Sequence, residues 1–251
     1  MIRKWRGILL CLLFSCVSCF CIEGNNGKAT PTVELVSESE QAVKGEVVRI
    51  GALIAIPKGE HIYWKNPGKF GMPLKILWDF PEGCELLEEH WPTPEIFEES
   101  GDVYFGYKHS TMVVADVRVS KELESSQLEI KSRVEWLSCG EACIPGSSER
   151  TLVLPVGPGP LIHNGKDAAA FSRVLAAQPK QLDKAITISY QSDGLDVLVK
   201  EGPSHGEVKA WFIAENTRDF AYAEGASVGK ENERVWRLKH FEGNMPKGAS
   251  L

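Results

Sequence analysis

Much of what would mark a familiar enzyme is missing from this chain. It has no glycine-rich phosphate loop, and no Ser/His/Asp grouping can be argued from it, which leaves nucleotide chemistry and triad hydrolysis without support. No internal repeat or low-complexity tract stands out, and there is no long amphipathic helix. His61, His90, His109, His163, His205 and His240 are scattered without paired spacing, and no second ligand pair accompanies the cysteines, so a zinc site has no basis. Positive charge is scarce as well. The formal charge is −6, and it becomes −9 once Arg3, Lys4 and Arg6 are set aside with the leader they belong to. An acidic chain of this kind offers no electrostatic case for nucleic acid or anionic lipid as partner.

That leader is the first thing present. A basic segment containing Arg3, Lys4 and Arg6 precedes an uncharged apolar stretch from Ile8 to Ile22, short for a membrane span and placed as a secretory signal is. Residues 1–22 therefore read as a signal peptide, with Leu13-Phe14-Ser15-Cys16 as a possible lipobox, and 23–30 as a polar linker. Nothing beyond residue 22 is apolar for long enough to span a bilayer. Of seven cysteines, Cys11, Cys16, Cys19 and Cys21 lie in the leader, leaving Cys84, Cys139 and Cys143. In an oxidising compartment two neighbours pair and one is odd; Cys84 reads as a small buried apolar residue.

Strand-like segments dominate the remainder. Gly45 to Ile56 places Val48, Ile50, Ala52, Ile54 and Ile56 on one face, and Leu74 to Phe80 and Thr111 to Val119 are further candidates. Gln127 to Leu137 sets Leu128, Ile130, Val134 and Trp136 against Glu129, Lys131, Arg133 and Glu135, and Thr151 to Val156 reads as its return strand. Many short strands with Pro/Gly-rich turns predict an all-β sandwich over residues 31–157. Gly157-Pro158-Gly159-Pro160 marks a boundary, 158–180 reads as linker and one short helix (Asp167 to Gln178), and 181–251 reads as a second, smaller or truncated β domain. Its strands are expected at Ile186 to Tyr190, Leu195 to Lys200, Glu207 to Ala214 and Arg234 to Lys239.

The segment that carries chemistry is Val134-Glu135-Trp136-Leu137-Ser138-Cys139-Gly140-Glu141-Ala142-Cys143-Ile144-Pro145. Extended residues four apart stand roughly 13 Å from each other, whereas a disulfide needs its Cα atoms within about 7 Å. The chain must turn at Gly140-Glu141-Ala142 for the sulfurs to meet, and Gly140 permits that turn. So small a ring adds only about 2 kcal/mol by loop entropy, which makes it a poor staple and a good redox switch. Three readings stay open from spacing: a redox pair, a structural clip, or two soft thiolates for Cu(I). No βαβ pattern surrounds the pair, which argues against a thioredoxin fold. Glu135, Glu141 and Glu149 oppose a thiolate nearby, while Arg133 and Arg150 favour one; Glu135, Glu141 and Asp102 are also candidate proton acceptors.

These residues, with Trp136, Cys139, Cys143 and Pro145, resemble the cysteine signature of the periplasmic N-terminal region of DsbD/ScsB-type thiol:disulfide interchange proteins. His61-Ile62-Tyr63-Trp64-Lys65-Asn66-Pro67-Gly68, Gly71-Met72-Pro73, Trp91-Pro92-Thr93-Pro94 and Gly106-Tyr107 agree with it. After residue 180, Lys209-Ala210-Trp211-Phe212 resembles the second β domain of ScsB-like members. The resemblance implies an immunoglobulin-like β-sandwich acting as a protein-disulfide reductase module in the periplasm, without a cofactor. It implies a membrane-embedded DsbD-type domain or a thioredoxin-like domain as electron donor, and periplasmic thioredoxin-fold proteins as acceptors, namely disulfide isomerases or proteins of cytochrome maturation. It further implies that Cys143 forms the mixed disulfide, that Cys139 resolves it, and that a cap loop from Glu95 to Tyr104 shields the pair through Phe97 or Tyr104. Three residues separate the cysteines here, as in ScsB-like members, against five in the best-known DsbD pattern. Family members also continue into a multi-span membrane domain, so the chain reads as a fragment, tethered by lipid or by that further domain.

Overall fold

The computed structural model describes residues 29–180 except 69, 100, 101 and 164, and then the strand segments 186–191, 194–200, 210–213, 220–223, 227–228 and 233–240. The expected signal peptide, its lipobox at Cys16 and most of the 23–30 linker lie outside the described residues. In chain order the first unit forms β1 (Thr32–Ser37), β2 (Val47–Ala55), β3 (His61–Gly68), β4 (Lys75–Asp79), β5 (Cys84–His90), β6 (Glu95–Glu99), β7 (Asp102–Tyr107), β8 (Thr111–Val119), β9 (Gln127–Cys139) and β10 (Cys143–Pro155). Helix α1 (Ala168–Ala176) follows, and then β11 (Ile186–Gln191), β12 (Gly194–Lys200), β13 (Ala210–Ile213), β14 (Phe220–Ala223), β15 (Ser227–Val228) and β16 (Glu233–His240).

Period-two sequence builds the two sheets. Val48, Ile50, Ala52 and Ile54 of β2 are wholly buried on one face, as are Leu128, Ile130 and Val134 of β9. One sheet runs β1-β2-β8-β5, and the other β10-β9-β3-β7-β6, every pairing antiparallel. β4 joins the second sheet by pairing with β9 from Lys131 to Glu135, leaving β3 to pair with β9 only at Ser138 and Cys139. Side chains from both inner faces interdigitate. Val48, Ile50, Ala115 and Val117 meet Leu128, Ile130 and Leu154 in one cluster. Ala52, Ile54 and Val113 meet Ile62, Trp64, Phe105 and Trp136 in another, next to the cysteines. Each large side chain so buried stabilises the sandwich by about 1.5–3 kcal/mol. This is the immunoglobulin-like β-sandwich.

The predicted helix spans Ala168–Ala176 and is the only one among the described residues. Phe171 and Val174, three apart and on one face, bury against Val36, Met112 and Val114 on the outer face of the first sheet. Gly51 leaves the room for this, since a Cβ there would come within 2.5 Å of Met112 Sδ. Thr93 fastens the end of the helix, its backbone N–H and its hydroxyl both donating to the Ala177 carbonyl. What reads as a linker in sequence thus serves as a roof over the sandwich. The strands β11–β16 form a third antiparallel sheet of order β11-β12-β16-β14-β13, with β15 on β16.

A candidate redox site at the end of the second sheet

Strand β9 ends on Cys139 and β10 begins on Cys143, and the two residues are cross-strand partners at the last rung of the β9–β10 ladder. Their Cα atoms are 4.1 Å apart and their sulfurs are bonded. The turn expected at Gly140-Glu141-Ala142 is there, closed by a Gly140 N–H···O=C Ala142 contact of 3.4 Å. Gly140 does not adopt a left-handed conformation. Space is tight there: a Cβ would stand 3.1 Å from the Gly59 carbonyl oxygen and 3.2 Å from Glu60 Oε1.

The two sulfurs sit in different surroundings. Cys139 is 3% exposed, whereas Cys143, on the edge strand β10, is open to solvent. Cys139 faces away from the sandwich core, since its neighbours Ser138 and Trp136 take the inner face. Its cover comes from β3. His61 is its cross-strand partner, and Tyr63 Oη lies 3.5 Å from Cys139 Sγ. A disulfide sulfur has no proton, so the hydroxyl is the donor.

Phe97 and Tyr104, the expected shield, are partners across the β6–β7 hairpin. Phe97 lies 5.3 Å from the His61 ring and Tyr104 6.0 Å from the Tyr63 ring, so each ring packs on a residue of β3 that neighbours Cys139. The Lys108 ammonium stands 4.4 Å from the Phe97 ring centroid, in cation–π range. The sequence marks His61 to Gly68 as a motif but assigns no role to Tyr63 or His61 within it. The signal available was spacing, because residues 61 and 63 share the outer face of a strand.

Trp136 is buried on the opposite face of β9 and supports the hairpin from below. Gly146 lies flush against it, so that a Cβ at that position would fall 2.7 Å from the indole nitrogen. Pro145 pairs in register with Leu137, so β10 passes straight through the proline. An edge strand tolerates this, because the missing N–H faces outward. Pro145, Trp136, Ser138, Ile144 and Glu60 line a cleft of about 620 Å³ beside Cys143.

The nearby charges are committed elsewhere. Arg133 donates to Glu135 at 2.8 Å and to Glu149 at 3.0 Å, and those bonds, Glu135 first, raise its pKa above the ordinary arginine value. Arg150 donates to the Val33 carbonyl at 2.7 Å. These arginines neutralise glutamates and tie down the backbone instead of favouring a thiolate. Glu60 is 8% exposed and accepts a 2.5 Å hydrogen bond from Ser138 Oγ, bracing the hairpin from β3's side. The side chain of Asp102 lies outside the described residues. Cys84 is half-buried on β5, unbonded and opposite Val119, and burial pushes its thiol pKa up. Among the described residues no group of three or more His, Cys, Asp or Glu side chains is arranged to hold a metal ion.

A disulfide at the last rung of a sandwich hairpin, one sulfur covered by aromatics and one open, is the arrangement against which family likeness can be weighed. The match to the family "Thiol:disulfide interchange protein DsbD, N-terminal" runs over residues 32–155, from β1 to the last residue of β10. Residues 32–155 belong to the DsbD N-terminal family. Among solved structures, the N-terminal periplasmic domain of ScsB from Proteus mirabilis aligns with a TM-score of 0.56 and 17% identity, over 85% of this chain and 81% of that one. At that identity the likeness shows a shared fold. AvmM, which catalyses macrocyclization in alchivemycin A biosynthesis, aligns over 54% of this chain and 94% of its own at 10% identity, with a TM-score of 0.23 that carries no argument. No curated protein sequence matches the chain. At the level of the DsbD family, then, the sandwich is a thiol–disulfide interchange module. Among the described residues no helix is long and apolar enough to cross a membrane.

Proposed function

We propose that the DsbD-like sandwich relays electrons through Cys139 and Cys143 to periplasmic thioredoxin-fold proteins, disulfide isomerases or components of cytochrome maturation. A membrane-embedded DsbD-type domain or a thioredoxin-like domain reloads it. The protein is exported, residues 31–157 form the redox unit, 158–180 link it through α1, and 181–251 form a second β domain. One observation carries this reading: the asymmetry between buried Cys139 and open Cys143.

In the reduced protein the Cys143 thiolate attacks one sulfur of the partner's disulfide, and the other partner sulfur leaves as a thiolate that takes up a proton. The Cys139 thiolate then attacks Cys143 Sγ. The Cys139–Cys143 bond forms, the mixed disulfide breaks, and the partner departs with both thiols and two electrons. Cys139 cannot lead, because a partner sulfur must approach along the S–S axis and β3 and its aromatics occupy that side.

The test is the reduction potential of the pair, measured by equilibration with glutathione or dithiothreitol mixtures, together with trapping. The expected value lies between about −180 and −270 mV, the span from protein disulfide isomerase to thioredoxin. Cys139→Ser should accumulate mixed disulfides through Cys143, and Cys143→Ser should accumulate none. A potential well below about −300 mV would make the bridge structural and the chain a binding module.

A further inference from the structure

A second cleft, of about 380 Å³, adjoins the disulfide on the side of β3 and is lined by Ile56, Lys58, Gly59, Glu60, His61, Lys108, His109 and Ser110. Its character runs against that of the whole chain, which carries a net charge of −6. Two lysines and two histidines face one carboxylate, Glu60, and that carboxylate accepts the Ser138 hydroxyl. The other acid close by, Glu95, accepts the backbone N–H of Lys108 and leaves the ammonium to the Phe97 ring. Among the described residues Lys58, Lys108 and His109 form no ion pair, while Arg49, Arg118, Lys131, Arg133 and Lys166 all do. Other described lysines, Lys44 and Lys75 among them, also form no ion pair; what sets these three cations apart is that they gather in one cleft beside the disulfide.

We propose that this cleft recognises acidic side chains flanking the cysteine of the protein partner, and so selects which disulfides reach Cys143. The proposal rests on the exchange chemistry above and adds the partner's chemical character. Geometry sets the spacing. His61 is the cross-strand neighbour of Cys139, whose Cα is 4.1 Å from that of Cys143. With strands about 4.8 Å apart, the wall of the cleft stands roughly 10 Å from the attacking cysteine. An extended peptide advances about 3.3 Å per residue, so the carboxylates belong about three positions from the partner's cysteine. A cleft whose lining carries more positive than negative charge raises the association rate of an acidic partner at low ionic strength, here by about tenfold, the low end of the range for single-sign clefts. The cleft therefore acts on encounter and orientation, while the sulfur chemistry remains that of the cysteines.

The probe is a pair of peptides, identical except for Glu or Lys three residues from a single cysteine blocked as its methyl disulfide. The pre-reduced full chain supplies two electrons. Cys143 attacks the peptide sulfur and expels methanethiol, Cys139 then closes the protein disulfide, and the peptide thiol is released. The Glu peptide should react about tenfold faster than the Lys peptide at 10–20 mM salt, and the ratio should fall below about twofold at 0.5 M, where the Debye length shrinks to a few Å. Lys58→Glu or Lys108→Glu should abolish or invert the preference. Arg118→Glu, which makes the same charge change at an exposed pair on the first sheet, should keep it. Equal rates for the two peptides, or equal loss of preference in Arg118→Glu, would overturn the cleft while leaving exchange intact. Reaction with neither peptide would overturn the exchange reading and the cleft with it.

Discussion

Tyr63 is the side chain whose removal tests what the aromatic cover does to the buried sulfur. Its hydroxyl stands 3.5 Å from Cys139 Sγ in the oxidised state, and a hydroxyl that keeps this place when the bond opens is expected to donate to the Cys139 thiolate. Hydrogen bonds to charged groups are worth about 1.5–3 kcal/mol, and one pKa unit corresponds to about 1.4 kcal/mol. Tyr63→Phe should therefore raise the Cys139 thiol pKa by about one unit and lengthen the mixed-disulfide lifetime at pH 7 by about 3- to 10-fold. The rate of the first attack, which belongs to Cys143, should stay within a factor of two, a threshold of about 0.4 kcal/mol. Acid-quenched time courses separate the two steps. An unchanged intermediate lifetime would leave the hydroxyl without a part in resolution. The two cysteines themselves are legible in sequence, because their spacing forces a turn and a small ring. Tyr63 is not, because its relation to Cys139 arises only when β3 pairs with β9 across 76 residues of chain.

The β9–β10 hairpin offers a test at the level of an element. Its grip on the core depends on Gly146 lying against the Trp136 indole, where a Cβ would intrude to 2.7 Å. Trp136 is 4% exposed and packed in the core, so Gly146→Ala should destabilise the oxidised protein by about 1–3 kcal/mol through overpacking. Thermal unfolding measures it, and an unchanged midpoint would show that the ring can move. Alternation could be read before the fold was known. β2 and β9 appear almost where it places them, and α1 falls within the expected span. β8 falls on the expected Thr111 to Val119 although it is buried on both faces from Thr111 to Ala115, its outer face lying under α1. β3 gives no alternation because Ile62, Tyr63 and Trp64 are all buried, with core on one side and the aromatic cover on the other. β5 hides behind adjacent Leu86 and Leu87, where the register with β8 slips. The return strand was expected at Thr151 and begins at Cys143, because Pro145 and Gly146 look like a loop but suit a strand edge. The cap segment forms a regular hairpin, β6–β7, which Glu-rich sequence does not announce.

Across the molecule the core responds to pH through Tyr107. It is 5% exposed and donates to the Pro92 carbonyl at 2.8 Å. Burial raises its pKa well above the ordinary tyrosine value, with a Thr111 hydrogen bond acting weakly in the other direction. The unfolded chain ionises near pH 10 while the folded one resists. The stability due to Tyr107 is thus complete below about pH 10 and is lost as pH rises above it. At pH 11 the loss is roughly 1.4 kcal/mol, and Tyr107→Phe should flatten that part of the urea-midpoint profile between pH 9 and 11. Parallel slopes in the two proteins would place the ionisation elsewhere. The same linkage joins the fold to its disulfide. Cys139 and Cys143 are already held together by a thirteen-pair ladder, so breaking their bond in the folded protein frees two sulfurs and almost no chain. In the unfolded chain the same bond closes a loop and removes about 2 kcal/mol of conformational freedom. Around the closed cycle, whatever the bond adds to folding the fold must add to the bond's resistance to reduction, and 2 kcal/mol is about 40 mV for two electrons. The folded domain is by this measure a milder oxidant than its own unfolded chain, and a chain that has lost its fold surrenders the disulfide first.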